Sequence, residues 1–233
     1  MDTQSSELIT GLMENSITIG IDEAGRGPVI GPIVIAGVSL DEELKVKFKS
    51  AGVKDSKILS IRKIYQLEGI IKEFSLDFKV VVRTAKEIDD RFKSRKNLNY
   101  FELDEMAEIA NSIKGDKVIV DSPSANTSKV KAYLEKKIKG KEITARNYAD
   151  RDFVEVGAAS ILAKAQRERE VEAIKKELSY DFGSGYSSDP RTIAFLKIIN
   201  DNGRINEEPY SKYIRKTWLT FKNLTRKDLS DFF

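Results

Sequence analysis

Acidic residues occur at three points in the chain that coincide with the edges of expected elements. Asp22 and Glu23 follow the apolar run Ile17-Thr18-Ile19-Gly20-Ile21, Asp121 ends Val118-Ile119-Val120, and Asp150 stands just before a long helical pattern. If the strands are neighbours, these side chains converge. Clustered like charges repel and raise one another's pKa unless a cation sits among them. The arrangement therefore makes chemical sense with metal bound: two hard divalent ions about 4 Å apart, held by such oxygens, clamp a phosphoryl group for in-line displacement. Taken singly, a strand-end acid also serves as a turn former and an acid before a helix as an N-cap. The consecutive pair leaving a buried strand is harder to explain that way. Asp104, Glu105, Asp152 and Glu155 read as solvated helix-face charges.

The rest of the composition narrows the chemistry. Among 233 residues there is no His and no Cys, which excludes an imidazole base, a thiolate nucleophile, a disulfide framework and ordinary zinc sites. Oxygen ligands remain, and with them Mg²⁺ or Mn²⁺. The longest charge-free apolar stretch, between Arg26 and Asp41, is broken by Gly31 and Pro32 and is too short to span a bilayer. Asp2 and Glu7 stand where a secretory signal needs positive charge. A cytoplasmic protein is expected.

The net charge is only +3, but it is unevenly spread. Residues 122–148 carry seven Lys or Arg against Glu135 and Glu142, and residues 191–233 carry nine against five acids. Such an asymmetry suits a polyanion laid across basic surfaces beside an acidic centre, although solvated helices are also often Lys-rich. The turn Gly25-Arg26-Gly27-Pro28 lacks the ending of a Walker loop or a dinucleotide fingerprint. Two glycines around an Arg offer close backbone approach to a ligand and one fixed positive charge.

The elements that must position these residues follow from periodicity. Ile17–Asp22 and Ile33–Leu40 read as two strands of a hairpin, Ser60 as the cap of a helix to about Phe74, and Phe78–Val82 as a strand. A helix over about 98–113, a buried strand over 117–121, a basic helix over about 129–138 and a strand over 142–146 come next. A long helix over about 152–178 and another over about 191–200 complete the pattern. Early strands followed by alternating strands and helices predict an α/β layer fold on a mixed sheet.

The stretch G-I-D-E-A-G-R-G-P-V-I-G-P (Gly20 to Pro32) closely resembles the opening motif of ribonuclease HII, the type 2 ribonuclease H of archaea and bacteria. The resemblance continues, in family order, through D-S-K (Asp55 to Lys57), the strand ending in Asp121, and A-D (Ala149-Asp150) ten residues before the serine of A-A-S-I-L-A-K. It ends with G-S-G-Y-x-S-D-P (Gly183 to Pro190) and I-R-K-x-W (Ile214 to Trp218). It implies a ribonuclease H-like mixed five-stranded sheet flanked by helices over residues 1–190, with residues 1–15 as a short leader. Residues 191–233 would be a helical C-terminal extension packed on that domain.

The implied activity is metal-dependent cleavage of RNA in RNA–DNA hybrids, and of the 5′ side of single ribonucleotides embedded in duplex DNA. Asp22, Glu23, Asp121 and Asp150 would hold two Mg²⁺ or Mn²⁺ ions. The resemblance gives the backbone of Gly25, Arg26 and Gly27 the task of reading the 2′-hydroxyl, and has Tyr186 stack on the sugar of the next deoxynucleotide. Lys57, Lys164 and Arg167 are candidate phosphate contacts. Asn147-Tyr148 departs from the basic or imidazole groups frequent in the family ahead of the fourth acid. The leader is far too short for the extra substrate-binding domain of ribonuclease HIII.

Alternatives from the residues alone are an integrase- or resolvase-like nuclease on the same fold, or a hybrid-binding module without activity. A monomer is expected. Leu229 to Phe233, L-S-D-F-F, loosely resembles peptides that dock on a sliding clamp, without their usual leading Gln.

Overall fold

The computed structural model describes residues 16–53 and 59–226. Lys57 with its D-S-K block, the leader and Leu229–Phe233 lie outside the described residues. The strands are β1 (Thr18–Ala24), β2 (Ile33–Leu40), β3 (Asp77–Arg83), β4 (Lys117–Asp121) and β5 (Glu142–Arg146). They form one sheet in the order β3-β2-β1-β4-β5. β1–β2 and β2–β3 are antiparallel, while β1–β4 and β4–β5 are parallel. The expected mixed five-stranded sheet flanked by helices is what the chain builds.

Alternation along the strands explains the layers, because successive side chains leave a strand on opposite faces. On one face Ile19, Ile21, Ile33, Ile35, Val118 and Val120 pack against α4 (Leu98–Ser112) and α5 (Thr127–Glu135). On the other, Val34, Ala36 and Val38 meet α1 (Glu42–Ala51), α2 (Ile61–Phe74) and α7 (Val154–Leu178). A third apolar cluster joins Val29 and Ile30 and the far end of α7 to Phe182, α8 (Pro190–Asp201), Ile214 and α9 (Leu219–Thr225). Among the described residues no helix is long and apolar enough to cross a membrane.

Local chemistry accounts for most boundaries. Ser60 caps α2 by accepting from Lys63 N, and Asp189 caps α8, with Pro190 as its first residue. The basic helix starts at Thr127, earlier than the periodicity predicts, because Asn126 accepts from Lys129 N at 3.0 Å. The long helix begins at Val154, because Phe153 is extended (φ −120°, ψ 116°); residues Ala149–Asp152 form a separate helical turn, α6. Asp150 is therefore inside that turn and is not an N-cap. The sequence reading has no helix at α1, where Asp41 caps and only Phe48 is buried, nor at α3 (Ala85–Asp90), which opens on a Thr84/Glu87 capping box.

Candidate active site

The register of the sheet brings the first acids together. Ile21 pairs with Val120 across the parallel β1–β4 ladder, so the next residues, Asp22 and Asp121, stand level on neighbouring strands. Asp121 ends β4, whereas Asp22 and Glu23 lie inside β1, which runs on to Ala24 and still pairs them with Ala36 and Ile35 of β2. Asp121 Oδ1 accepts from Ala149 N at 3.0 Å, tying the α6 turn, and with it Asp150, to the end of β4. Asp22 and Asp150 are buried, at 4% and 2% exposure.

Asp22 and Glu23 are consecutive in β1, and the Glu23 carboxyl stays within hydrogen-bonding reach of Asp22 while also facing the charge of Asp121. Asp22 points to α7, where the Ser160 hydroxyl donates to it; the Glu23 amide donates to Asp22 Oδ1 at 2.8 Å. Glu23 points to α4, towards Arg26 and Glu102. The close approach on the α7 side depends on Gly20. A Cβ there would lie 2.2 Å from the Glu155 carbonyl carbon.

Burial pushes the Asp22 carboxyl well above its usual range, and the neighbouring charges of Glu23 and Asp121 push it further. Burial, with Glu102 and Asp121, raises Glu23 to about 8 against the opposing pull of Arg26. Glu23 Oε2 is buried and has no hydrogen-bond partner. Among the described residues no three carboxylates already stand as a closed cage for one ion. The donor set nevertheless fits hard cations: anionic oxygens, mutual repulsion that positive charge would relieve, and a buried oxygen lacking a partner.

The sign of the pH dependence follows. Between an ordinary carboxylate pKa and about 8, the folded protein retains protons that the unfolded chain has lost. In the metal-free protein this contribution destabilises progressively as pH rises through that window. We expect the metal-free Tm to fall from pH 5 to pH 9 and Mg²⁺ or Mn²⁺ to raise Tm more at pH 8 than at pH 5.5. Thermal scans with chelator and with metal check this; an equal metal effect at both pH values would contradict it.

The turn after β1 is the second component. Gly25 has φ +85°, and a Cβ there would lie 2.6 Å from the Pro32 carbonyl oxygen and 2.8 Å from Arg167 Cδ. Tyr186, exposed at 36%, flanks the turn: a Cβ on Gly27 would be 3.1 Å from its Cε1. Arg26 donates to Glu102 and to Asn99 Oδ1.

The candidate phosphate contacts are placed differently from one another. Lys164 is half-buried on α7, one turn beyond Ser160. Arg167 is 6% exposed, with its guanidinium donating to the Ser184 carbonyl at 2.8 Å and lying 5.2 Å from the Tyr186 ring centre. As placed, it links α7 to the G-S-G-Y block and the turn, and is not presented to solvent. Lys129, Lys131, Lys136 and Lys139 are exposed, whereas Lys141 donates to the Ala110 and Ile113 carbonyls at the end of α4.

Other acids depart from expectation. Glu155 is 3% exposed and 3.5 Å from Lys45 Nζ, because it lies where α7 meets β1. Asp104 and Glu105 are held by Lys96, Lys137 and Arg83; Asp152 alone of the four is exposed. Glu102, fully buried and raised by burial to about 7, is a site residue the sequence reading misses. Its signal was available: it stands four residues before Met106 and seven before Ile109, on the helix stripe that should be apolar.

Comparison with known proteins agrees with this geometry. The Ribonuclease HII family profile matches residues 19–219. Ribonuclease HII of Archaeoglobus fulgidus is 39% identical over 219 residues, covering 91% of this chain and 98% of that protein. The crystal structure of ribonuclease H2 from Pyrococcus horikoshii OT3 superposes with a TM-score of 0.81 at 35% identity, covering 90% of this chain and 97% of that one. The structure of the PCNA:RNase HII complex from Archaeoglobus fulgidus gives a TM-score of 0.80 at 38% identity, covering 92% and 99%. With its acids on β1 and at the end of β4, its glycine turn and its match over nearly the full length of these relatives, the chain belongs to the ribonuclease HII family of ribonuclease H enzymes.

Proposed function

We propose that this ribonuclease H cleaves RNA strands in RNA–DNA hybrids and the 5′ side of single ribonucleotides in duplex DNA, leaving 3′-hydroxyl and 5′-phosphate ends. Asp22, Glu23, Asp121 and Asp150 hold two divalent ions, Mg²⁺ or Mn²⁺. When bound, such ions lower the pKa of the attacking water and stabilise charge on the leaving 3′-oxygen. The protein orients the ligands: Ser160 and the Glu23 amide fix Asp22, and Asp121 anchors the turn that carries Asp150. The Gly25-Arg26-Gly27 backbone meets the 2′-hydroxyl, which only a ribonucleotide supplies. Tyr186 stacks on the next sugar, and Lys57 and Lys164 steady the backbone phosphates. The C-terminal extension from residue 191 braces this unit from behind.

The observation that carries the reading is the buried carboxylate Asp22 set level with Asp121 by the β1–β4 register, with Asp150 tied to the same strand end through Ala149 and the glycine turn one residue after Ala24. Product mapping on a duplex with one ribonucleotide, with and without divalent metal, tests it. Cleavage at the ribonucleotide's 5′ side only when metal is present supports it. Equal cleavage of an all-deoxy duplex would favour an integrase- or resolvase-like enzyme, and binding without cleavage a non-catalytic module.

The Archaeoglobus fulgidus relative is seen with PCNA. For this chain we extend the proposal to a sliding clamp engaged through Leu229–Phe233 by an otherwise monomeric enzyme. Deleting those five residues should abolish capture on immobilised clamp and leave hydrolysis of short duplexes unchanged; undiminished capture would refute the assignment.

A further inference from the structure

Arg215 has the largest fully buried side chain among the described residues, at 0% exposure. A buried guanidinium needs partners for its donors, and it finds them in the turn: Nη2 donates to the Gly25 carbonyl (2.6 Å), Nη1 to Arg26 (2.9 Å) and Nε to Gly31 (3.0 Å). Trp218 Nε1 donates to the Gly27 carbonyl at 3.1 Å. The Arg215 amide donates to Val29 O at 2.8 Å, and Ile214 bridges to Ile30, fixing the segment that carries these donors. Every carbonyl of Gly25-Arg26-Gly27 is thus bound from the C-terminal side.

A peptide unit is planar and trans, so its N–H points opposite to its C=O. Drawing the Gly25 and Arg26 carbonyls inward turns the amides of Arg26 and Gly27 outward. The third unit ends in Pro28 and has no N–H. Neither outward amide donates to another described group, and burial follows the same order: Gly25 buried, Arg26 half-buried, Gly27 exposed. Glu102 and Asn99 draw the Arg26 side chain towards α4, the direction in which Glu23 also points.

We propose that Arg215, assisted by Trp218, is the positioning residue for ribose recognition: it holds the Arg26 and Gly27 amides as a preset pair of donors for the 2′-oxygen. The inference rests on the reading of the turn given above. Arg215 touches no substrate. Its charge cannot be replaced by Lys without losing the planar fork that reaches several carbonyls at once.

The test is equilibrium binding in the Asp121→Asn background, comparing a duplex with one ribonucleotide and the matching all-deoxy duplex. Arg215→Lys should reduce the preference for the ribonucleotide by about tenfold or more, and Trp218→Phe, which keeps the ring and removes one donor, by about threefold. Affinity for the all-deoxy duplex should stay within twofold. Should Arg215→Lys fail to fold, Arg215→Gln, which keeps one planar donor group and gives up the fork, carries the test with the same expected loss. A full preference in the folded variants, or a parallel loss for both duplexes, overturns the positioning role. No preference in the Asp121→Asn parent would instead sink the reading of the turn itself, and the proposal with it.

Discussion

Replacing Asp121 by Asn lowers hydrolysis of a ribonucleotide-containing duplex by on the order of a thousandfold or more, with affinity for that duplex within a few-fold of wild type. The substitution is nearly isosteric, and its remaining Oδ1 still accepts from Ala149 N, so the α6 turn stays in place. What disappears is one anionic oxygen pair at the strand end, and with it charge that favours divalent ions. Binding survives because phosphate attraction comes from basic groups spread over the surface. Steady-state hydrolysis with a fluorescence-anisotropy titration checks both halves. A rate within a few-fold of wild type would remove Asp121 from the catalytic set.

Gly20→Ala should give the largest loss of stability. Its Cβ would sit 2.2 Å from the Glu155 carbonyl carbon and 2.3 Å from Val156 N, which are backbone atoms and cannot rotate away. β1 and the start of α7 would have to separate. Overpacking of this kind costs about 3 kcal/mol, which for a chain of this size lowers Tm by roughly 6–12 °C. The separation also displaces Asp22, two residues further along the same face, from Ser160, so activity falls below the level explained by unfolding alone. Gly69→Ala is the matched control: nothing lies within 4 Å of its Cβ, and in mid-helix the change should be neutral or stabilising. Similar melting temperatures for the two variants would show that the close approach is not needed.

The sheet was legible because its signals are local. β2 carries eight buried residues in one run, and the Val118-Ile119-Val120 core ends abruptly at an acid. The helices missed were those whose pattern is weak in sequence: α1 buries only Phe48, and α3 has six residues. The four acids could be picked out individually, since in the sequence each follows an apolar run or precedes a helical pattern, even though β1 runs on past Asp22 and Glu23 and Asp150 lies inside α6; strand order could not. Only the parallel pairing of β1 with β4 places Asp22 level with Asp121.

Long-range packing was the part hidden from the sequence. Arg215 follows Ile214 in a basic stretch that reads as surface, yet its partners are the carbonyls of Gly25, Arg26 and Gly31 far back in the chain. Glu155 reads as a solvated charge until α7 is laid against β1. Glu102 is the instructive case between these extremes. Its place on an apolar stripe announces burial, while its partner, Arg26, becomes evident only when α4 covers the Glu23 side of the sheet.

Anomalous diffraction from crystals soaked in Mn²⁺ with a ribonucleotide-containing duplex bound measures the central claim most directly. Manganese peaks within coordination distance of oxygens from Asp22, Glu23, Asp121 and Asp150, flanking the phosphate 5′ to the ribonucleotide, are the predicted result. Peaks confined to other carboxylates, with these four turned away from the bound phosphate, would contradict it.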